Sequence, residues 1–299
     1  MIIVTLVATL AAAMVWQQWR AVQVESAERA RVQSAWILSG ALDFARLILR
    51  EDMKSQTGMA MTALTEPWAT PLAESRLSTF LAVDKSNTDD GPEAFLSGSI
   101  TDAQARYNLT NLIDAGHKIV PLEVETLERL CQTLGVDTGL AVRIANGLRD
   151  AAAGTSGAAK LKPETVAQLA WLGIDQVSLQ TLQPYIVLLP IATAVNVNTA
   201  SKEVLSAAIK GLDGGSAERL IQRRQRTPFK NIAEFNEQLQ PLVPSAPNID
   251  VRSSFFEVRG RLRLADRVLT ERSMVRRQLN RQIDVLRRER IASIEQAGG

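Results

Sequence analysis

Side chains that could carry out chemistry are scarce in this chain of 299 residues. His117 is the only histidine and Cys131 the only cysteine. A Ser-His-Asp triad would need His117 as its base, and because this residue lies in the polar sequence DAGHK, we predict no catalytic role for it. A lone cysteine excludes an intramolecular disulfide and a thiolate metal cluster, and the glycine fingerprints of nucleotide sites are absent. We therefore predict no catalytic, cofactor-binding or metal-binding residues, no small-molecule substrate, and a protein that is not an enzyme.

Composition favours folded domains. Hydrophobic residues make up 46% of the chain and charged residues 22%, values that are typical of globular proteins. The length is sufficient for two domains. A net charge of +2 argues against broad electrostatic capture of nucleic acid, which relies on many basic contacts to phosphate.

The first stretch of the chain, Met1 to Trp16, carries no charged side chain, and Thr5 and Thr9 are its only polar residues. Its length is at the lower edge of the roughly 17 to 25 apolar residues that cross a bilayer. A cleaved signal peptide is the alternative, but it needs a charged segment before the apolar run and a small-residue cleavage site after it. Because Trp19 and Arg20 follow the run instead, we predict an anchor that stays attached.

The anchor leads into a long predicted helix. Between Gln17 and Lys54 there is no proline, and Gly40 is the only glycine. Two rows with helical spacing form a broad apolar face; they are Ile37, Ala41, Phe44 and Ile48, and Leu38, Leu42, Ala45 and Leu49. We predict one helix of about 50 residues, roughly 75 Å long, with its first part in lipid and its second part packed on a folded domain. Two helices broken near Gly40 are the alternative.

Shorter elements are predicted after this helix. Thr65 to Leu72 contains two prolines, which indicates an extended or turning segment, and SRLSTFLAV after it fits a strand or a short helix. Lys85 to Glu93 is interpreted as a polar loop, and Ala94 to Leu109 as a strand that enters a turn. Residues 121–240 are predicted to be helical.

The period changes from 3.6 to two after Arg252, which indicates a half-buried antiparallel strand. Its two faces separate by residue type: Phe256, Val258, Gly260, Leu262 and Leu264 against Arg259, Arg261 and Arg263. The arginines are interpreted as a solvated sheet face rather than a nucleic-acid site. Val268 to Met274 is predicted to be the strand that returns antiparallel to it. The basic residues from Arg276 on are predicted to form a helix.

The helical part contains an internal repeat. GVDTGLAVRI begins at Gly135, GLDGGSAERL begins at Gly211, and a weaker third copy begins at Gly173. Each glycine allows a helix to end with positive φ, so we predict three helix-turn-helix corners. Thr199 is predicted to be the N-cap of the helix before the Gly211 corner. Duplication and simple repetition of capping chemistry both remain open as explanations.

Four segments, in this order, resemble the minor pseudopilin K family of the type II secretion system. They are EPWATPL, ITDAQARYNLTNL, VNVNTASKEVL and FFEVRGRLRLADRVLTERSMVRR, and the resemblance covers nearly the whole chain. It implies an α+β, pilin-like fold, in which a long N-terminal helix packs on an antiparallel sheet, with a large inserted all-α domain. The implied division is a transmembrane part at 1–20, a pilin-like body at 1–105 and 248–299, and an inserted domain at 106–247 with two helix-hairpin-like subdomains, about 106–190 and 191–247.

The resemblance also implies a function. The chain is expected to cap the tip of the pseudopilus together with minor pseudopilins of the I and J types, above the filament of major pseudopilin, and to promote its assembly for export of folded proteins. It is expected to cross the bacterial inner membrane once, with its body in the periplasm. The family's basic leader does not precede Met1, and Arg20, Arg29 and Arg31 alone would favour a cytoplasmic body. The periplasmic placement therefore depends on the resemblance.

An alternative is a membrane-anchored DNA-binding protein of a DNA-uptake system, because VNVNTASKEVL with PFKNIAEF also resembles a helix-hairpin-helix module. Backbone amides near Gly211, Gly214 and Gly215 would then hold phosphate. Since Asp213 and Glu218 lie next to that position, we predict that residues 106–247 do not bind DNA.

The resemblance raises two further expectations. Relatives are understood to bind calcium through an acidic loop, but the matching segment RDAAAGTSGAAK has Asp150 as its only carboxylate, and calcium needs six to eight oxygen ligands. We predict no calcium there, and we interpret the other acidic group as a solvated turn: Asp84, Asn87, Asp89, Asp90 and Glu93. Ordinary pilins carry a glutamate at the fifth mature position; if Met1 is the first mature residue, Thr5 replaces it.

Overall fold

The computed structural model describes residues 2–55, 60–77, 94–153, 161–239, 249–264 and 267–291. Its first element is one continuous helix, α1, at Ile2–Asp52. The helix continues through Gly40, and the prediction of a single long helix is therefore confirmed. A side chain at Gly40 would meet nothing within 4 Å. No residue before Ser34 is buried, whereas Leu38, Leu42, Ala45 and Leu49 all are.

The second half of α1 packs on a five-stranded antiparallel sheet of order β1-β2-β7-β8-β9. The strands are β1 (Leu72–Arg76), β2 (Ala94–Asp102), β7 (Phe255–Leu264), β8 (Arg267–Arg277) and β9 (Ile283–Ile291). Adjacent strands β2 and β7 are far apart in sequence, and the helical part of the chain lies between them. The alternation predicted after Arg252 is confirmed, since Phe256, Val258 and Leu262 are buried.

Two cross-strand glycines allow α1 to lie close to the sheet. Gly98 on β2 is the register partner of Gly260 on β7. A Cβ at Gly260 would lie 3.3 Å from Leu38 Cδ2, and a Cβ at Gly98 would lie 3.0 Å from the backbone oxygen of Arg259. A side chain at either position would therefore push on the helix or on the neighbouring strand.

The helical region lies between β2 and β7. Its helices are α2 (Pro121–Thr133), α3 (Gly139–Ala153), α4 (Gln176–Leu182), α5 (Lys202–Ala208), α6 (Gly214–Arg226) and α7 (Ile232–Leu239). Two short parallel pairs tie its ends together, β3 (Tyr107–Asn108) with β4 (Ile186–Val187) and β5 (Val195–Asn196) with β6 (Ile249–Asp250). Its core is mainly aliphatic and includes Leu127, Leu130, Ile144, Leu205 and Leu220.

The three predicted corners are confirmed by the backbone. Gly135, Gly173 and Gly211 have φ of 69°, 78° and 85°, a region that costs glycine little and other residues more. The aspartate two residues after each glycine accepts hydrogen bonds from the first turn of the next helix. Capping chemistry alone thus accounts for the glycine and the aspartate of the repeat.

Two predictions are wrong. The basic residues after Arg276 are not helical: β8 continues to Arg277, and β9 pairs with β8 along Ile283–Ile291. Tertiary pairing overrides the helical propensity of that arginine-rich segment. The N-cap of α5 is Ser201, whose hydroxyl accepts from the Val204 amide, because Thr199 donates to Asp102 instead.

Other predictions concern shorter segments. The turn after the long helix is confirmed as a 3₁₀ segment at Pro67–Ala69, followed by β1. The strand entering a turn at Ala94 to Leu109 is confirmed as β2 and a 3₁₀ segment at Ala103–Ala105. The acidic residues from Asp84 to Glu93 and most of the loop after Asp150 lie outside the described residues.

Candidate functional site

The exposed first half of α1 has the properties of a membrane anchor. The helix contains a window with a mean hydropathy of 1.6, none of which is buried. Two polar side chains near its start bond within the helix: Thr5 donates to the Ile2 carbonyl at 2.8 Å and Thr9 to the Leu6 carbonyl at 2.9 Å. Bonds of this kind satisfy the threonine hydroxyl within its own helix. Length and composition thus suffice for one membrane crossing.

At the other end of α1, a buried polar cluster lies where the chain leaves the sheet and returns to it; we call it the junction. Its central residue is Asp102, the last residue of β2. One carboxylate oxygen of Asp102 accepts from the Thr199 hydroxyl at 2.6 Å, the Ser253 hydroxyl at 2.6 Å and the Asn196 amide at 3.0 Å. The other carboxylate oxygen accepts from the backbone N–H of Gln104 at 2.8 Å. Segments distant in the sequence therefore meet at one carboxylate.

The junction extends to the end of α1 through Arg277. The Arg277 guanidinium donates to Asp52 at 2.8 Å, to the Thr62 hydroxyl at 2.7 Å and to the Ser253 carbonyl at 3.0 Å. The Asn196 amide also donates to the Thr62 carbonyl at 3.0 Å. The helix end, the sheet and the helical region are thereby joined in one hydrogen-bonded network.

Glu66 lies beside this network. One oxygen of its carboxylate accepts from the Trp68 indole at 2.6 Å and from the Ala63 amide at 3.2 Å. Its other oxygen is buried without a hydrogen-bond partner among the described residues. Trp68 in turn packs edge-on against Phe256, with ring centroids 5.2 Å apart. The segment EPWATPL thus contributes a large side chain to the core next to the end of α1.

Burial raises the pKa of the carboxyl groups in the junction. Loss of hydration is the main cause for Asp102, and its hydrogen bonds from Ser253 and Thr199 only partly offset it. Loss of hydration likewise raises the pKa of Asp52, against the opposing charge of Arg277, and that of Glu66, against its bond from Trp68. The network therefore holds acidic groups where water does not stabilise their charge.

The corner that would hold phosphate in the DNA-binding alternative is occupied by its own aspartate. The Asp213 carboxylate accepts from the Gly215 and Ser216 amides, both at 2.9 Å, and these bonds lower its pKa, with the Ser216 hydroxyl as the largest contributor. Arg224 is buried and donates to the Ala200 carbonyl at 2.6 Å. Arg223 pairs with Glu234 at 2.8 Å. The helix-end amides and these cations thus already have partners.

The residues that the sequence analysis discussed as catalytic or metal-binding candidates do not form a common site. His117 is exposed in a turn with φ of 60°, and Cys131 is buried in the helical core, where burial raises its pKa to about 11. Asp150 pairs with Arg149 at 2.8 Å. Within the described ranges, no three histidine, cysteine or acidic side chains form a group that could hold a metal.

The outer sheet face is solvated and partly paired. Arg263 pairs with Glu74 on β1, and Arg261 lies 3.6 Å from the same carboxylate, while Arg259 is exposed. A groove lies between α1 and the sheet, lined by residues of α1, β2 and β7. Its lining is mostly apolar, and among the described residues that line it Arg259 and Glu271 are charged.

Sequence reasoning missed the junction. Asp102, Thr199 and Ser253 each look like an ordinary strand-end, capping or turn residue in the sequence. Two of the segments that resembled a known family, ITDAQARYNLTNL and VNVNTASKEVL, contain Asp102, Asn196 and Thr199. A signal was thus present in those segments, but only the fold shows that they meet.

Comparisons with known proteins agree with this architecture. Two family models, both described as "Type II secretion system (T2SS), protein K", match residues 105–191 and 195–252. A protein of Pseudomonas aeruginosa named "Type II secretion system protein K" is 28% identical over 316 residues, covering 97% of this chain and 90% of the relative. A protein of the same name from Dickeya chrysanthemi is 24% identical over 351 residues, with 97% and 94% coverage.

A solved structure shows the same fold. A chain of the GspK-GspI-GspJ complex from the type 2 secretion system of enterotoxigenic Escherichia coli matches with a TM-score of 0.71 at 20% identity. The match covers 89% of this chain and 99% of that one. The α+β prediction, with a long helix on an antiparallel sheet and a helical insertion, is confirmed. The comparisons give no support to the DNA-uptake alternative.

Proposed function

Because the chain belongs to the protein K family of the type II secretion system, we propose that it is a minor pseudopilin that caps the tip of the pseudopilus. It is a structural component of the secretion system rather than an enzyme. Its role is to assemble with minor pseudopilins of the I and J types above the major pseudopilin and to promote growth of the filament. The solved relative, found in a complex with GspI and GspJ, supports these partners.

The observation that carries this proposal is the division of α1. Its first half is exposed and apolar, and its second half is buried against the sheet. The junction contacts Asp52, which lies roughly 75 Å along the helix from Ile2 at 1.5 Å per residue. This arrangement supports a single-pass anchor with the body held away from the bilayer. The proposed location, with the anchor in the inner membrane and the body in the periplasm, rests on the likeness to the protein K family.

The position of the helical region supports a role as a cap. The helical region joins the body at the end of α1 opposite the anchor, so a further subunit docking above would meet it. Thr5 supports the same role, because its hydroxyl is satisfied within its own helix and needs no charged partner from a subunit above. An ionised carboxylate in lipid would need such a partner.

Crosslinking in assembled pseudopili tests the proposal. Cysteine pairs placed between this chain and the I-type and J-type subunits should crosslink in one complex per filament, at the tip. Thr5→Glu with the helical region retained should remain at the tip, whereas Thr5→Glu combined with deletion of 106–247 should appear along the filament. If the combined variant still appears only at the tip, neither Thr5 nor the helical region determines the position.

A further inference from the structure

The apolar contact between the helical region and the sheet is small. Beyond the two main cores, a separate cluster of five buried residues lies between them: Ala103, Val187, Leu189, Phe255 and Met274. Apolar burial is non-directional, so this cluster favours contact between the two parts without fixing their relative angle. Directional contacts must supply the angle.

Several of those directional contacts converge on Asp102, while the Arg106–Glu257 ion pair and the bond from Arg287 to the Glu164 carbonyl lie apart from it. Thr199 and Asn196 reach its carboxylate from the helical region, and Ser253 reaches it from the segment that returns to the sheet. Asp102 itself is 4% exposed, and no cation pairs with it among the described residues. Its charge is balanced only by neutral donors, whose geometry is fixed by the segments that carry them.

We propose that Asp102 is a positioning residue, which fixes the orientation of the helical region on the α1–sheet body and so determines what the helical region covers at the tip. The orientation is a property of the isolated chain, and its use at the tip rests on the proposed function. Gln104 strengthens the arrangement, because its side chain donates to the Ala194 carbonyl at 3.0 Å and accepts from the Ser254 amide at 2.7 Å.

The chemistry of the site explains why an amide is a poor substitute. In Asp102→Asn, the new NH₂ group would take the place of one carboxylate oxygen. At the position of the oxygen that now accepts three bonds, it would face the Asn196 amide, which cannot turn into an acceptor while it also donates to Thr62. In the other orientation it would face the Gln104 backbone N–H. In either orientation the new NH₂ group faces another hydrogen-bond donor, and buried donors without acceptors lower the free energy of unfolding.

The helical region contains a matched control. Glu123 is also a buried carboxyl, and it accepts from the Tyr107 hydroxyl at 2.8 Å. That contact lies wholly within the helical core. Glu123→Gln removes a buried charge without touching the body, so it separates loss of a buried carboxylate from loss of the contact between the two parts.

The test uses pulsed electron spin resonance on the full chain in nanodiscs. Spin labels are placed on Arg50→Cys in α1 and Val177→Cys in α4, two exposed positions; Cys131 is buried and stays unlabelled. The parent and Glu123→Gln should each give one narrow distance distribution. Asp102→Asn should lose the single narrow peak, while hydrogen exchange shows that the core amides of both parts keep their protection.

Two partial variants cover the case in which Asp102→Asn fails to fold. Thr199→Val and Ser253→Ala each remove one hydroxyl donor, and each should broaden the distribution while the cores stay protected. A narrow distribution in all foldable junction variants, or broadening that appears only together with loss of core protection, would overturn the positioning role. Because the measurement involves no pseudopilus, its failure would leave the proposed function standing.

Discussion

The α1–sheet body and the helical region differ in how they are stabilised. The core of the body is built around one aromatic pair, Trp68 and Phe256, together with residues from α1 and from sequence-distant strands. The core of the helical region is larger and mainly aliphatic, and its helices come from one continuous stretch of the chain. Non-local cores order slowly, because loop-closure entropy is lost before their long-range contacts form.

Because of this difference, substitutions in the two regions should lower stability by different amounts. In the body, a single large side chain closes the space between helix and sheet, and its loss cannot be compensated by neighbours on other strands. In the helical region, burial is spread over many leucines and alanines, and each corner adds a local cap. Changes of similar size should therefore have unequal effects in the two regions.

The largest expected effect comes from Trp68→Ala. The substitution removes a fully buried side chain and leaves the Glu66 carboxylate without its indole donor, so the body should lose about 3–5 kcal/mol of unfolding free energy. Hydrogen exchange on the full chain should show faster exchange in β2, β7 and β8 while α2 and α3 keep their protection.

Trp171→Ala is the matched control for this change. Trp171 lies in the helical region with 53% of its surface exposed, so its removal should change stability by less than about 0.5 kcal/mol. Equal losses from the two tryptophan variants would mean that the two regions do not differ as described.

Much of the fold was predictable because its signals are local. The continuity of α1 follows from the absence of proline between Gln17 and Lys54, and the corners follow from glycines that adopt positive φ. The strand β7 was predicted from its own alternation. Each of these features is determined within a few residues, at the range where propensity and periodicity act.

The features that failed or were missed are set by distant partners. The residues of β9 are arginine-rich and were predicted to be helical, but pairing with β8 holds them extended. Thr199 looked like an N-cap, yet Asp102, nearly a hundred residues earlier in the sequence, takes its hydroxyl. No local pattern reports such a partner, and so the junction could not be derived from the sequence.

Asp213→Ala should have an intermediate effect, confined to the helical region. The Asp213 carboxylate accepts from two amides at the start of α6, and removal of such a cap costs about 1 kcal/mol. Urea unfolding with a helical-region probe should report this loss. The neighbouring exposed acid provides the control, since Glu218→Ala should leave the midpoint nearly unchanged. A larger loss in Glu218→Ala would contradict the capping role.

The pH dependence of stability should distinguish buried from capping acids. Burial raises the pKa values of Asp52, Glu66, Asp102 and Glu123. A raised pKa contributes stability that is present below the unfolded value, about 4, and is lost as pH rises through the folded value. The melting temperature should therefore rise modestly as the pH falls from 7 toward the unfolded value.

Capping acids act in the opposite direction at lower pH. Hydrogen bonds lower the pKa values of Asp175, Asp213 and Glu234, so their stabilisation is lost only below about pH 4. Glu66→Gln should make this rise in melting temperature smaller, whereas Asp213→Ala should leave it intact. A melting temperature that falls steadily from pH 7 would contradict the assignment.

Calcium should produce no measurable effect in the helical region. Asp150 pairs with Arg149 and is the only carboxylate in its segment RDAAAGTSGAAK, well short of the six to eight oxygen ligands that calcium requires. Isothermal titration should show no binding to this region. A calcium-dependent rise in melting temperature that Asp150→Ala abolishes would contradict this prediction, and a rise that survives Asp150→Ala would point to ligands elsewhere in the chain.

The smallest expected effect is that of DNA, for which we predict no binding by the helical region. A helix-hairpin-helix contact needs free backbone amides and free cations at the corner. At the Gly211 corner, Asp213 occupies the amides of Gly215 and Ser216. Two of the cations nearby are also engaged, since Arg224 is buried on backbone carbonyls and Arg223 pairs with Glu234.

This geometry also determines which variants make a fair test. Charge reversal at Arg224 would unfold the region, so loss of binding there would prove nothing. The informative variant is Asp213→Ala, which exposes the corner amides and removes a negative charge from the place that phosphate would take. Anisotropy titration at low salt should show no micromolar binding for the parent, and at most weak binding for Asp213→Ala. Micromolar binding by the parent that weakens steeply with salt and is lost in Arg219→Glu would mean that the corner binds phosphate despite its own aspartate.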